Sequence, residues 1–293
     1  MEHKSGFVNI VGNPNVGKST LMNVLVGERL SIITAKAQTT RHRILGIINT
    51  DEYQIIYSDT PGILKPKYKM QEAMMGFVQN ALDDADVILY VTDIKETIDK
   101  NIDYIEKINK TETPVILLIN KIDLSNPEEI ATISEQWKNL LPKAEVIPIS
   151  ARENFNIPKV FDRVVELLPI APPYYDKDAL TDKPERFFVS EIIREKIFFN
   201  YKKEIPYSTE VIVESFKEEE KIIRIQAVII VSRDSQKGII IGKQGLMLKK
   251  TGTAARIEME KFFDKKIFLE LFVKVEKDWR DSDRLLREFG YEV

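Results

Sequence analysis

The chain of 293 residues contains no cysteine, which excludes disulfides, thiolate zinc sites and cysteine nucleophiles and fits a reducing compartment. It contains 2 histidines, His3 and His42, and neither is marked out by position as a general base. No run approaches the roughly 18 apolar residues of a membrane span, and the first residues lead straight into an apolar run without a signal-peptide pattern. The expectation is a soluble, cytoplasmic protein. Its 43% hydrophobic and 30% charged residues suit a globular chain long enough for two domains of unequal size. Neither internal repeats nor low-complexity tracts are present.

The net charge of -3 hides a division. Residues 1–183 carry 21 basic and 26 acidic side chains, whereas residues 184–293 carry 22 and 20. Within Arg233 to Lys266 nine basic residues face four acidic ones, a candidate positive patch that a solvated helix face would explain equally well.

From Phe7 to about Leu168, short apolar runs alternate with amphipathic stretches. That rhythm predicts an α/β domain: a doubly wound, mostly parallel sheet with helices on both faces. Strands are expected at Phe7 to Val11, Arg43 to Asn49, Tyr53 to Ser58, Asp86 to Thr92, Pro114 to Asn120 and Glu145 to Ser150. The second and third would form a hairpin, giving a mixed sheet. Helices are expected at Ser19 to Val26, Lys69 to Leu82, Asp99 to Lys110, Pro127 to Leu140 and Ile157 to Leu168. Residues 169–184 hold four prolines and no apolar periodicity, a linker between domains 1–168 and 185–293. Beyond it, helical patterns at Arg186 to Asn200 and Leu246 to Phe263 and strand patterns at Thr209 to Phe216, Lys221 to Val231 and Lys266 to Val275 suggest a smaller α+β domain, ending in a short helix from about Asp281.

Gly12-Asn13-Pro14-Asn15-Val16-Gly17-Lys18-Ser19, followed by Thr20, fits the phosphate-loop pattern between a strand and a helix. The glycines let backbone N–H groups approach phosphates, Lys18 reaches the β and γ groups, and the Ser19 hydroxyl is placed to ligate Mg²⁺. Asp59-Thr60-Pro61-Gly62 follows a strand, so Asp59 can anchor the metal shell and the Gly62 N–H can meet the γ-phosphate. A threonine of Gln38-Thr39-Thr40-Arg41 can complete that shell; Thr40 is chosen over Thr39, which the sequence barely separates from it. Ile63 follows Gly62, and its alkyl side chain cannot orient an attacking water. Hydrolysis would then rest on Mg²⁺, Lys18 and backbone donors, and would be slow.

Asn120-Lys121-Ile122-Asp123 ends an apolar strand. The Asp123 carboxylate can accept two hydrogen bonds from guanine N1 and N2, a donor pair adenine lacks. Asn120 would brace neighbouring loops and Lys121 would lay its stem along the base. Ser150-Ala151-Arg152 ends the last strand, where the Ala151 N–H could meet guanine O6.

In the second domain Ile241-Gly242-Lys243-Gln244-Gly245 is a G-x-x-G turn with apolar and basic flanks, able to lie against a nucleic-acid backbone. Lys249, Lys250 and Arg256 follow on the next helix. Ile239, Ile240, Ile241 and Leu248 are candidates for an apolar base groove or for the core.

These motifs, in this order over the whole chain, resemble the translation-factor-related GTPases and among them the Era family, whose second domain is a type II KH module. The resemblance implies GTP binding and slow hydrolysis to GDP, with Ser19, Thr40 and Asp59 around Mg²⁺ and Lys18, Thr40 and Gly62 at the reacting phosphate. It implies switch segments near residues 33–45 and 59–75 and a possible K⁺ site at Asn15. It also implies binding near the 3′ end of small-subunit (16S-type) ribosomal RNA, in assembly of the small ribosomal subunit. No obligate oligomer is expected. Competing readings are an RNA-binding protein whose nucleotide is never turned over, and a GTPase peripheral to the membrane through Lys65, Lys67, Lys69, Met70, Met74 and Met75.

Overall fold

A computed structural model describes residues 2–34, 36–97 and 102–293. The chain divides into two compact units, the first comprising Met1–Ser31, Thr40–Pro66 and Met74–Asp182 and the second Ile32–Thr39, Lys67–Ala73 and Lys183–Val293.

The first unit is built on β1 (Lys4–Gly12), β2 (Ile44–Asn49), β3 (Tyr53–Asp59), β4 (Val87–Asp93), β5 (Val115–Asn120) and β6 (Glu145–Pro148), in the sheet order β2-β3-β1-β4-β5-β6. The β2–β3 hairpin is antiparallel and every other pairing is parallel. Central parallel strands need both faces covered, which is why β4 is an unbroken buried run. The helices are α1 (Lys18–Val26), α2 (Lys69–Asp83), α3 (Ile102–Lys110), α4 (Pro127–Leu140) and α5 (Ile157–Leu167). The expected helix start at Asp99 lies outside the described residues. Chain order reverses about β1, whose neighbours are β3 and β4, so the loop after β1 opens at the sheet's switch point, where ligands bind in such folds.

Local chemistry sets the element ends. α1 stops at Gly27, whose left-handed φ of 81° lets its N–H reach the Asn23 carbonyl at 2.9 Å. α4 starts with Asn126 accepting from the Glu129 N–H and with Pro127 in the first turn. β1 starts at Lys4 rather than Phe7, because the polar Lys4-Ser5-Gly6 stretch pairs with Tyr53-Gln54-Ile55 of β3 and carries the ladder past its apolar run.

Residues 169–182 pack against the β2–β3 edge. The Leu180 carbonyl accepts from the Ile47 N–H at 2.8 Å, the Asp182 side chain accepts from the Leu45 N–H at 3.1 Å, and Gln54 takes the N–H groups of Tyr174 and Tyr175. The strap covers a strand edge that would otherwise stay open to foreign pairing.

The second unit contains α6 (Glu185–Asn200), β7 (Thr209–Glu218), β8 (Ile222–Val231), α7 (Asp234–Ile241), α8 (Leu246–Phe262), β9 (Lys266–Val275) and α9 (Asp283–Glu288). Its sheet runs β7-β8-β9, antiparallel then parallel. Alternate residues Ile223, Ile225, Ala227, Ile229 and Val231 of β8 enter a core with Val189, Ile193 and Ile197 of α6 and Ala255 and Met259 of α8. α7 is the element that the apolar run Ile239-Ile240-Ile241 conceals, since such a run reads equally as a short strand.

Candidate functional site

The loop between β1 and α1 is wrapped around its own lysine. Lys18 is buried, and its amine donates to the carbonyls of Gly12 at 3.0 Å and Asn13 at 2.9 Å. Burial lowers its pKa to about 8, against the opposing fields of Asp59 and Glu96. Gly17 has φ 99° and caps α1 with no side chain of its own; a Cβ there would stand 2.3 Å from the Asn120 amide. A Cβ on Gly62 would meet Pro14 at 2.7 Å, and the next N–H, of Ile63, donates to the Gly12 carbonyl at 3.1 Å. The 59–63 segment therefore lies directly on the phosphate loop, with Thr60 tied to the Ile10 carbonyl at 2.7 Å and Ile63 buried.

At the head of α1, three predicted metal-shell residues converge. Ser19 Oγ lies 2.9 Å from Thr40 Oγ1 and donates to Asp59 Oδ2 at 2.7 Å, and Thr40 Oγ1 is 3.2 Å from the same oxygen. Thr39 turns away: its hydroxyl pairs with Thr34 at 2.6 Å and donates to the Lys36 carbonyl at 2.7 Å. The other oxygen of Asp59, Oδ1, is buried with no hydrogen-bond partner among the described residues. Burial raises the Asp59 pKa, more than Lys18 and the hydroxyls of Ser19, Ser31 and Thr40 lower it. Among the described residues no three His, Cys, Asp or Glu side chains cluster as a metal cage. A hard cation that shares its shell with phosphates and waters needs no such cage, so one carboxylate with an unused oxygen and two hydroxyls fit Mg²⁺.

At the base end, Asn120 joins three loops. Its Nδ2 donates to the Val16 carbonyl at 2.9 Å, while its Oδ1 accepts from the N–H groups of Lys121 at 2.8 Å and Ala151 at 3.0 Å. The Ala151 N–H is thus already engaged, so a guanine O6 would have to share it. Lys121, at φ 66°, sends its amine to Asp93 Oδ2 and to the Asn15 carbonyl. Asp123 is exposed, and Ser150 Oγ donates to its Oδ1 at 2.6 Å, which fixes the carboxylate plane. Ile122 hangs from the Ile149 carbonyl through its N–H, and Arg152 is largely exposed. His3 bonds the Ala171 carbonyl and His42 packs against Phe77.

In the second unit the G-x-x-G turn links α7 to α8. Gly242 has φ 70°, and a Cβ on it would press on Met247 at 2.7 Å; Gly245, at φ 76°, faces open space. Beside the turn a groove of about 350 Å³ is lined by Gly245, Leu248, Lys249, Gly252, Thr253, Arg256, Leu269 and Leu271. It has an apolar floor and two cations at its wall. Ile240 is fully buried in the core, whereas Ile239 is 49% exposed, so of the four candidate groove residues Leu248 alone lines it. Lys243, Gln244 and Lys250 are exposed, at the turn and on α8.

One expectation is corrected. Met70, Met74 and Met75 are buried, so the apolar half of a basic membrane-facing surface is absent there. Lys69 is paired with Asp283 at 2.8 Å. No helix of the described residues is long and apolar enough to cross a membrane.

Sequence reasoning missed Asp93 and Glu96, which reach the site from the end of β4, and Leu269 and Leu271, which reach the groove from β9. Position at the C-terminal end of a central strand was the available signal for Asp93.

Comparison with known proteins agrees with this geometry. Residues 7–121 match the family described as 50S ribosome-binding GTPase, and residues 204–280 match the KH domain. The chain is 48% identical over 291 residues to the GTPase Era of Syntrophus aciditrophicus, covering 98% of this chain and 95% of that protein. It is 45% identical over 292 residues to the GTPase Era of Staphylococcus haemolyticus, covering 99% and 98%. Among solved structures, Era in complex with MgGDPNP and nucleotides 1506-1542 of 16S ribosomal RNA superposes with a TM-score of 0.94 at 38% identity, over 99% of this chain and 100% of that one. A variant of Aquifex aeolicus Era bound to GDP·AlF4⁻ does so with a TM-score of 0.94 at 39% identity, with the same coverage. Phosphate-loop motif, Asn120–Asp123 loop and G-x-x-G groove, joined in one chain with this likeness along its full length, make the chain a member of the Era family of GTPases.

Proposed function

We propose that this GTPase binds the 3′ end of small-subunit ribosomal RNA through its KH groove and acts in small-subunit assembly in the cytoplasm, with residues 1–168 as the G domain, 169–184 as linker and 185–293 as the RNA-binding domain. The observation that carries the nucleotide half is the Ser19, Thr40 and Asp59 cluster beside Lys18, with one buried carboxylate oxygen left over. The RNA half draws on the groove and on the RNA held by the Era structure of the same fold.

In this reading Lys18 leaves the carbonyls of Gly12 and Asn13 for the β and γ oxygens, and the loop's N–H groups cradle the chain of phosphates. Ser19, Thr40 and Asp59 hold Mg²⁺, which when bound neutralises charge building on the phosphate oxygens. The Gly62 N–H meets the γ-phosphate, while buried Ile63 keeps a side chain from competing for the attacking water. Asp123, oriented by Ser150, selects guanine. Asn15 offers a K⁺ site at the loop; turnover should be faster in KCl than in matched NaCl, and equal rates would remove that site.

The segment before Thr40 supports coupling between nucleotide and RNA. Arg194 of α6 donates to the Thr39 carbonyl at 3.0 Å, and the next residue is the metal-shell Thr40. A change at Thr40 on γ-phosphate loss therefore acts on the chain that α6 holds. The test is crosslinking of RNA to the protein in cell extract, mapped to nucleotides and compared between GDPNP and GDP. Crosslinks at the 3′ end of the small-subunit RNA that change with nucleotide are expected; a different RNA, or none, would refute the assignment.

A further inference from the structure

Glu96 has no part in the chemistry assigned above, yet it stands at the phosphate loop. It lies in Asp93-Ile94-Lys95-Glu96-Thr97, just past the C-terminal end of β4, the central strand beside β1 from which the loop rises. Both of its carboxylate oxygens are held: the Asn13 amide donates to one, and Thr92 Oγ1 donates to the other at 2.7 Å. Asn13 is itself a loop residue, buried, and its carbonyl accepts from Lys18.

A loop built to receive anions is an unfavourable place for a fixed anion, because like charges in a partly dehydrated site repel strongly. The repulsion grows with the charge brought in. GTP and GDP present the same base, ribose and first two phosphates, and differ by the terminal phosphate that Lys18 and Gly62 are placed to meet. A carboxylate tied to this loop therefore weighs more heavily against the triphosphate than against the diphosphate.

We propose that Glu96 is a selectivity-setting residue, whose carboxylate, clamped to the phosphate loop by Asn13 and Thr92, opposes the terminal phosphate and shifts the site's preference toward GDP. The inference rests on residues 12–19 being the phosphate cradle. A family member with an amide or a cation at this position would, by the same physics, retain GTP more readily.

The experiment measures the dissociation constants of GDP and of GDPNP for the full chain at fixed Mg²⁺, in wild type, Glu96→Gln and Thr92→Val. Glutamine keeps an oxygen for Asn13 and removes the charge; valine keeps the shape of Thr92 and removes the donor that fixes the second oxygen. Glu96→Gln should tighten GDPNP relative to GDP by about tenfold. Thr92→Val should shift the ratio in the same direction by roughly two- to threefold, as a freed carboxylate swings toward solvent. An unchanged ratio in Glu96→Gln, or equal changes for both nucleotides, would overturn the proposal, the latter by making the residue merely structural. If Glu96→Gln fails to fold, Thr92→Val decides alone by the same ratio. Wild-type protein that binds neither nucleotide would instead retire the cradle on which the inference rests.

Discussion

Two glycine turns in this chain each open a helix, and under the proposed function they meet phosphates in opposite ways. Gly17 and Gly245 both cap their helices in the left-handed region without any side-chain bond, leaving the N–H groups of α1 and α8 free to face an anion. Around Gly17 the polar groups turn inward: Lys18, Asn13, Asp59 and Asn120 are buried and bonded to the loop or to each other. Around Gly245 they turn outward, with Lys243, Gln244 and Lys249 exposed and an apolar groove behind them. The first arrangement suits a small, highly charged ligand enclosed by inward-turned side chains. The second suits an extended strand, with attraction spread over several cations.

The contrast breaks most visibly at Lys18. Lys18→Ala should lower kcat/KM for GTP by about a hundredfold or more, because one preorganised cation at the transferring phosphate is lost. RNA affinity of the same variant should be unchanged in nucleotide-free protein; a matching loss would mean that the two turns are not separate sites. Gly242→Asp should weaken RNA binding by roughly tenfold or more and leave GTP turnover within about twofold, since it adds bulk against Met247 and a charge of the wrong sign. Measuring both activities on one preparation separates this from misfolding.

Acidity bears on the first turn. With its pKa lowered to about 8 by burial, Lys18 is charged below that pH in the free protein and neutral above it. Bound phosphates stabilise the ammonium and raise that pKa again, so binding above pH 8 takes up a proton. GTP affinity should therefore fall by about tenfold between pH 7 and pH 9, with proton uptake visible in calorimetry in two buffers. The smallest effect belongs to Lys249→Ala, which should cost a few-fold in RNA affinity and lower the salt slope by about one.

Much of the proposed nucleotide site is legible in the sequence because its residues are consecutive. Under the proposed function Gly12 to Ser19, Asp59 to Gly62 and Asn120 to Asp123 each carry one role in one short segment at a strand end. Thr39 and Thr40 are alike in composition, and only the fold tells which hydroxyl reaches Asp59 and which turns to Thr34. Glu96 and Asp93 escape notice because they arrive through the β1–β4 and β4–β5 ladders, which no local pattern announces. The groove was harder still. In Ile239-Ile240-Ile241 the helix α7 sends Ile240 into the core and leaves Ile239 outside, a choice of rotation that three identical side chains cannot encode. Leu269 and Leu271 become groove wall only because β9 lies beside α8 in space.

The central claim is that one carboxylate, Asp123 held by Ser150, chooses the base. Titrating wild type and Asp123→Asn with GTP and XTP tests it directly. An amide can donate to the xanthine oxygen that replaces the guanine amine, so the variant should lose GTP affinity by about tenfold or more and gain XTP by a comparable factor. Wild-type GTP affinity retained in the variant, with no gain for XTP, would contradict the account.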